Sequence, residues 1–210
     1  MNTDECIMYL VRHGATEANL ARPARLQGRG LNLRLSEVGR RQAQATADFF
    51  AKRPIDAIFS SPMIRAMETA ELVAQPHGHQ VQTREELVEV HVGDWEERSW
   101  DDIVASEPEA YARFIEHPGT HGYPGGESFQ DVQNRALPVL HELLQENMGR
   151  RLVVIAHNVV NRACLAGMLG LPINNARTIQ QQNCGVNIVR WKAGEVQVRT
   201  MNATFHLDDT

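Results

Sequence analysis

Reactive side chains follow the apolar runs of this sequence. Continuous apolar runs of about six residues are typical of strands buried on both faces. The reactive set consists of Arg12 and His13 after residues 6–11, Arg65 after residues 55–60, Glu89 within residues 87–96, and His157 after residues 152–156. We expect each of these segments to follow a strand. The carboxyl ends of parallel strands meet at one edge of a sheet, so the five side chains should gather there.

The chemistry of this set suits a phosphate monoester. Arginine offers a planar fork of donors that matches two non-bridging phosphate oxygens at once. A neutral imidazole can attack phosphorus and divide one difficult displacement into two easier steps. A carboxylic acid can protonate the alkoxide that leaves. The set provides each function without a metal, and neither His77 with His79 nor His117 with His121 has further ligands that would complete a metal site.

The order of elements predicts an α/β fold. Apolar runs alternate with segments of helical periodicity, one opened by Ser36 and another by Pro62, which indicates a three-layer α/β/α sandwich with a mostly parallel sheet. Residues 185–191 and 196–201 flank a short turn and predict a closing β-hairpin. Helical character is expected around residues 100–115 and from about 159 to 169.

We expect one domain over residues 1–210, because the sequence has no internal repeat, linker or low-complexity stretch. Residues 96–124 are polar and irregular, and we interpret them as a lid-like insertion. No segment resembles a membrane span or a signal peptide. The three cysteines are widely spaced and mostly apolar in context, which indicates reduced core cysteines and a cytoplasmic protein. A net charge of -5 argues against nucleic acid as a partner.

Five segments resemble the signatures of the histidine phosphatase superfamily, also called the phosphoglycerate mutase-like family. They are R-H-G-x-T-x-x-N at 12–19, S-S-P-x-x-R-A-x-x-T-A at 60–70, L-x-E-x-x-x-G-x-W-E at 87–96, G-G-E-S at 125–128 and N-A-T-F-H-L at 202–207. The resemblance extends over nearly the whole chain. It implies a phosphoglycerate mutase-like fold and a phosphoryl-transfer reaction without a cofactor.

The resemblance also implies a role for each residue. His13 would be the phosphorylated nucleophile, and Glu89 would protonate the leaving group and then deprotonate the attacking water. The phosphoryl oxygens would be bound by Arg12, Arg65 and His157, with Asn19, Gln27 and Gly28 completing the rim. Asn158 departs from the glycine usual after the second histidine of the family, and it could hydrogen-bond the leaving portion of the substrate.

Three functions follow from these observations. The first is a phosphatase for small phosphate monoesters such as sugar phosphates, acting through a phosphohistidine on His13. The second is a mutase of the phosphoglycerate type, which is less favoured because residues 97–123 are net acidic and lack a long basic insertion. The third is a module that binds a phosphorylated ligand without catalysis. The partner in each case is a small phosphorylated metabolite, and the sequence does not identify it or the oligomeric state.

Some residues near these motifs have two interpretations. His91 and Trp95 could shape the leaving-group pocket or could simply pack. A basic stretch beside the first motif could steer anionic substrates, although a solvated loop is the simpler interpretation; it contains Arg22, Arg25, Arg29 and Arg34.

Overall fold

In the computed structural model, which describes residues 4–207, the centre of the protein is a six-stranded sheet. Its strands are β1 (Glu5–Arg12), β2 (Ala57–Ser60), β3 (Val81–Thr83), β4 (Arg151–Ala156), β5 (Val186–Lys192) and β6 (Glu195–Ala203), in the order β3-β2-β4-β1-β5-β6. The first four strands of that order are parallel, whereas β5 pairs antiparallel with both β1 and β6. The mostly parallel sheet and the closing hairpin are therefore confirmed.

Helices α2 (Glu37–Ala51) and α3 (Ile64–Ala74) cover one face of this sheet, and α6 (Phe129–Glu146) and α7 (Asn158–Met168) cover the other. The remaining α-helices of the described residues are α1 (Glu17–Leu20), α4 (Trp100–Ser106) and α5 (Pro108–Glu116). Alternate residues of β1 point to opposite faces, so Met8 and Leu10 pack with α6 and α7, while Tyr9 and Val11 pack with α2 and α3. This alternation explains why the strand is apolar throughout, and it confirms the three-layer sandwich.

Short polar caps fix where the helices begin. The Ser36 hydroxyl accepts the N–H of Gly39 and starts α2, as the sequence predicts. The prediction that Pro62 opens the next helix was wrong, because α3 begins at Ile64 with Met63 as its N-cap. The cause is a turn in which the Ser61 hydroxyl accepts the N–H of Met63, which keeps Pro62 and Met63 outside the helix.

The segment that carries Glu89 is a loop, and the expectation that residues 87–96 directly follow a strand was wrong. The short strand β3, which the sequence analysis did not identify, ends at Thr83, and a 3₁₀ turn at Glu85–Leu87 intervenes. Arg135 of α6 donates to the carbonyl groups of Glu86, Val88 and Glu89. These carbonyls are therefore bound by a side chain and cannot pair with a neighbouring strand.

Residues 96–124 fold into α4 and α5 beside the carboxyl end of the sheet, as expected from their helical character. Trp95 is fully buried and packs edge-to-face against Trp100, Phe114 and Tyr123, with its indole N–H donated to Glu107. Packing is thus the observed role of Trp95. Across residues 4–207, no helix combines the length and apolar character needed to cross a membrane.

Candidate active site

The first strand delivers His13 to the carboxyl end of the sheet. Its main-chain N–H donates to the carbonyl of Ala156 at 3.1 Å, and its side chain is 2% exposed. The Nδ1 atom lies 2.7 Å from the carbonyl oxygen of Gly14. A carbonyl can only accept a hydrogen bond, so Nδ1 carries the proton and Nε2 carries the lone pair.

Arg65 donates a hydrogen bond to this lone pair, on the side of the ring opposite the Gly14 carbonyl. It lies in the first turn of α3 and is fully buried, and its Nε–H donates to Nε2 of His13 at 3.2 Å. Its terminal nitrogens donate to the carbonyls of Leu31 and Gly28 at 3.0 and 3.1 Å. The guanidinium is therefore fixed in its plane with its edge against the imidazole.

Burial keeps His13 neutral. Desolvation, followed by the positive charges of Arg65 and Arg12, lowers the pKa of His13 well below 6.5, although the bond to Gly14 acts in the opposite direction. The protein thus maintains an uncharged imidazole at neutral pH, with its Nε2 lone pair accepting, among the described residues, only the Nε–H of Arg65. This is the form of histidine that can act as a nucleophile.

Arg12 completes the cationic side of the site. One of its terminal nitrogens donates to the carbonyl of Gln181 at 2.7 Å, and its Nε is buried without a hydrogen-bond partner in the described chain. Burial lowers the pKa of Arg12 to about 10, while the carboxylate of Glu89 opposes this effect. Arg12 therefore stays charged at neutral pH and has donor capacity left for an anion.

Beneath Arg12 lies a buried network of amide side chains. Gln181, which accepts the bond from Arg12, exchanges two hydrogen bonds with Asn187 and receives another from Asn161. Asn187 also donates to the carbonyl of Leu10. The network ties the chain that contacts Arg12 to the central strand.

His157 follows β4 and faces His13, with 5.1 Å between the two ring centroids. Its Nε2 lies 2.8 Å from the Ser61 hydroxyl, and its Nδ1 is buried without a partner in residues 4–207. Burial, followed by Arg65 and then His13, lowers the pKa of His157 well below 6.5. An unpaired buried nitrogen next to two arginines fits a phosphate-binding role.

The carboxyl group of Glu89 contacts the first turn of α7, and the residue is 4% exposed. One carboxyl oxygen accepts the N–H of Val90 at 2.9 Å, and the other accepts the N–H groups of Asn158 and Val159 at 3.0 and 3.4 Å. Glu89 lines the same cavity as Arg12 and His13, and its carboxylate opposes the effect of burial on the pKa of both Arg12 and Arg65. The structure thus brings together all five of the reactive side chains selected from the sequence.

The rim residues differ in what they offer. Asn19 uses its Oδ1 to accept from Thr16 and Asn183, so its amide N–H₂ is available to a ligand. Gln27 lines the cavity but is occupied by the Thr16 hydroxyl and the Leu31 carbonyl. The N–H of Gly28 donates to the carboxylate of Glu96, and its carbonyl accepts from Arg65. Gly28 therefore positions Arg65 and lies outside the cavity wall.

A cavity of about 290 Å³ opens above His13, close to the size of a small-metabolite site. Besides the expected residues and Arg25 of the basic stretch, its wall contains several that the sequence analysis did not assign, among them Trp100, Tyr123, Arg162 and Asn183. Arg162 lies one helical turn after Asn158, so the helical period of α7 could have identified it. Asn183 donates to the carbonyl of His13 across 170 residues of sequence, and no local pattern indicates that contact.

Other basic residues near the first motif lie on the surface. Arg34 forms an ion pair with Glu68, and Arg22 donates to the carbonyls of Leu20 and Ala21. Arg25 reaches the cavity wall while it donates to the carbonyl of Glu97. Within residues 4–207, no group of three or more His, Cys, Asp or Glu side chains is arranged to hold a metal ion.

The comparison with family models supports the resemblance. The model of the histidine phosphatase superfamily (branch 1) matches residues 8–204 of the chain. That match includes every side chain of the site described above.

Individual relatives include both phosphatases and mutases. Glucosyl-3-phosphoglycerate phosphatase of Mycolicibacterium vanbaalenii is 37% identical over 181 residues, covering 80% of this chain and 76% of the relative. A probable phosphoglycerate mutase GpmB of Serratia proteamaculans is 30% identical, covering 96% of this chain and 94% of the relative. The solved structure of a mycobacterial glucosyl-3-phosphoglycerate phosphatase matches with a TM-score of 0.85 and 30% identity, covering 95% of this chain and 99% of that one.

Proposed function

The chain belongs to the histidine phosphatase superfamily, and from that membership we propose that it hydrolyses small phosphate monoesters through a phosphohistidine on His13. The observation that carries the proposal is the state of the His13 ring. Its proton is held on Nδ1 by the Gly14 carbonyl, its lone pair is on Nε2, and burial keeps the ring neutral. The neighbouring arginines provide the charge that a phosphate dianion requires.

In the first half-reaction, the Nε2 lone pair of His13 forms a bond to phosphorus while the bond from phosphorus to the ester oxygen breaks. The Nε–H of Arg65 stays on the guanidinium and changes its hydrogen-bond acceptor from the imidazole to a phosphoryl oxygen, and Arg12 and His157 bind the remaining oxygens. Glu89, in its acid form, gives its proton to the departing alkoxide. The products of this step are an alcohol, a phosphoryl group on Nε2 and the Glu89 carboxylate.

In the second half-reaction, the Glu89 carboxylate removes a proton from water, whose oxygen attacks phosphorus. The bond from phosphorus to nitrogen breaks, and the electron pair returns to Nε2 of His13. Inorganic phosphate is released, and Glu89 has regained its proton. The Gly14 carbonyl accepts from Nδ1–H throughout, so it stabilises the positive charge that develops on the ring during phosphorylation.

The insertion at residues 96–124 favours hydrolysis over a mutase reaction. A mutase must retain a second charged group of the substrate while the phosphoryl group moves. A relative named as a probable phosphoglycerate mutase is 30% identical to this chain, so this alternative must be weighed. Here the insertion at residues 96–124 is net acidic and packs around aromatic side chains. A role limited to binding is not favoured, because every group that the two half-reactions require is present.

Turnover of p-nitrophenyl phosphate by the purified protein tests the proposed function. A phosphatase releases phosphate from this ester and from phosphorylated metabolites without a bisphosphate primer. A mutase would convert phosphoglycerate isomers only after priming, and a binding module would release no phosphate from any ester. A screen of phosphorylated metabolites then identifies the physiological substrate.

We also assign the protein to the cytoplasm. Cys6, Cys164 and Cys184 are all buried free thiols, and burial raises the pKa of each to about 12. Unreactive, unpaired thiols in a core are typical of proteins from reducing compartments.

A further inference from the structure

Arg135 of α6 uses all of its N–H groups inside the protein. Nε and one terminal nitrogen donate to the two carboxyl oxygens of Glu127, at 2.9 and 3.2 Å. The other N–H groups donate to main-chain carbonyls of a single loop, those of Glu86, Val88 and Glu89. A guanidinium has five N–H donors, so none is left for a ligand. Arg135 therefore acts on the loop that carries Glu89, which comprises residues 86–91 and is called here the Glu89 loop.

Glu127, the carboxylate of the G-G-E-S segment, binds the same loop on the other side of Glu89. One of its carboxyl oxygens accepts the N–H of His91 at 2.8 Å, and its own main-chain N–H donates to the His91 carbonyl at 2.8 Å. A Cβ at Gly126 would lie 2.1 Å from that carbonyl oxygen, so the two segments are in main-chain contact. The pair of Arg135 and Glu127 thus contacts the Glu89 loop both before and after Glu89.

The carboxyl group of Glu127 is ionised at neutral pH. Burial acts to raise the pKa of Glu127, but the hydrogen bonds from Arg135 and from the His91 N–H outweigh it and lower this pKa below its ordinary value. The contact between Glu127 and Arg135 is therefore a two-point ion pair, which fixes the plane of the guanidinium. That plane directs the remaining N–H groups of Arg135 at the carbonyls of the Glu89 loop.

The two ends of Glu89 are thus held by different helices. Its main-chain carbonyl accepts from Arg135 of α6, while its carboxyl group accepts the N–H of Asn158 of α7. A general acid must come within about 2.6–3.2 Å of the atom that it protonates. A misplacement of about 1 Å caused by a change far from the chemistry can cost on the order of 10²-fold in rate.

We propose that Arg135, paired with Glu127, is a positioning residue that holds Glu89 where it can protonate the leaving group. This inference rests on the proposed function and extends it to two residues that do not line the cavity above His13. It also gives the glutamate of the G-G-E-S segment a part in the reaction. The alternative is that the pair only satisfies the carbonyls of the loop and so serves the fold.

The test is the dependence of the rate on the leaving group. Arg135→Met removes all five donors. Single-turnover formation of the phosphohistidine from benzyl phosphate, whose alkoxide needs a proton, should fall on the order of 10- to 100-fold, mainly in the maximal rate. The rate from p-nitrophenyl phosphate, whose leaving group needs no proton, should fall far less. A role in the fold alone predicts equal losses for both esters, and equal losses would overturn the inference, as would no loss for either.

Arg135→Lys provides a second variant if the Met variant does not fold. Lysine keeps the positive charge next to Glu127 but lacks the planar fork that reaches several carbonyls at once. It should show the same selective loss on benzyl phosphate, smaller than that of the Met variant. Arg190→Met is the matched control, because Arg190 is 22% exposed against 20% for Arg135 and pairs with Glu5 at the far end of β1. This control should leave the ratio of the two rates unchanged.

Combination with Glu89→Gln identifies the residue through which Arg135 acts. No carboxyl proton remains to be positioned in that background, so adding Arg135→Met should cause little further loss on benzyl phosphate. Losses that multiply would mean that Arg135 acts independently of Glu89, and the inference would be overturned.

Failure of the inference can be distinguished from failure of the proposed function. A wild type that acts on p-nitrophenyl phosphate but on no alkyl phosphate would have no proton donor to position, which would overturn the inference and leave the phosphohistidine on His13 in place. Absence of turnover of every ester by the wild type would overturn the proposed function and this inference with it.

Discussion

Oε2 of Glu89 accepts the main-chain N–H of Asn158 at 3.0 Å, which anchors the loop carboxylate on the first turn of α7. The residue directly before that turn is His157, whose ring faces His13. The proposed proton donor and one of the proposed phosphate ligands are therefore held by the same helix start. A substitution at Glu89 or at His157 should therefore alter the position of the other side chain.

Glu89→Gln should impair hydrolysis in proportion to how poor the leaving group is. An alkyl phosphate releases an alkoxide that needs a proton, so its rate of phosphohistidine formation should fall about 10²–10⁴-fold. p-Nitrophenolate leaves unaided, so that ester should lose far less. Single-turnover rates for both esters provide the measurement, and Glu86→Gln, at an exposed neighbour, should change neither.

The same substitution should also reduce stability. Both carboxyl oxygens of Glu89 accept N–H groups, so the amide of Gln would point its own N–H₂ at one of them. An unsatisfied buried donor costs about 1–3 kcal/mol in unfolding free energy.

The kinetic comparison of the two esters separates these roles of Glu89. Equal rate losses of Glu89→Gln for the alkyl phosphate and for p-nitrophenyl phosphate would show that Glu89 maintains the site and that another group delivers the proton.

His13→Ala should abolish turnover and the covalent intermediate. Acid-labile, base-stable label should be trapped on position 13 when the wild type is quenched during turnover of a ³²P-labelled ester. The variant lacks the nucleophile and should show no label above background. His121→Ala, at an exposed histidine, serves as the control. Label on a serine, or substantial activity of His13→Ala, would rule out the mechanism.

Activity should survive dialysis against EDTA and should be blocked by vanadate. Arg12, Arg65 and His157 provide the groups that neutralise the phosphoryl oxygens, and vanadate resembles the trigonal-bipyramidal phosphoryl group that they would surround. Loss of activity on chelation, restored by a divalent cation, would show that this account of the charge is incomplete.

Stability should decline as the pH falls below about 6.5. Burial, together with the neighbouring arginines, holds the pKa of His13 and of His157 well below that value in the folded protein. An unfolded histidine titrates near 6.5, so below it the unfolded chain binds more protons and the unfolding free energy falls with pH. Each residue contributes a slope of up to about 1.4 kcal/mol per pH unit. Urea unfolding between pH 7.5 and 5.5 should show a shallower slope in both His13→Gln and His157→Gln, and unchanged slopes would refute the prediction.

Gly39→Ala should displace the main chain at Ala15, two residues after His13, although Gly39 itself does not line the active site. A Cβ at Gly39 in α2 would lie 1.9 Å from the carbonyl oxygen of Ala15, and main chain cannot move away easily. We expect a loss of at least about 1–3 kcal/mol in unfolding free energy and a fall in kcat. Gly167→Ala is the matched control, because its Cβ would first meet the flexible end of Leu137 at 2.6 Å. Equal effects would argue against a specific role for the close approach at Ala15.

The sequence was informative where the determinants are local. The apolar run of β1 and the Ser36 cap each act within a few residues, so the strand and the start of α2 could be predicted. β3 has only three residues, two of them exposed, and a strand so short has no reliable pattern.

Contacts distant in sequence account for what was missed. The alternation around Glu89 resembles a strand, but Arg135 occupies the carbonyls, and the partner of the carboxylate lies 69 residues away. The hydrogen bond from the Asn183 side chain to the carbonyl of His13 joins residues that lie 170 positions apart in the sequence. Such contacts depend on the assembled sheet, which a local pattern does not encode.

The bond from Arg65 to Nε2 of His13 has a consequence for product inhibition. A phosphate ion that uses the same guanidinium edge must first displace this bond, and a hydrogen bond with a charged partner is worth about 1.5–3 kcal/mol. Since 1.4 kcal/mol corresponds to a tenfold change in Kd, the resting contact weakens retention of inorganic phosphate by about ten- to a hundredfold. Re-formation of the bond as phosphate departs returns the imidazole to its starting state, so clearing the site and resetting the nucleophile are one event.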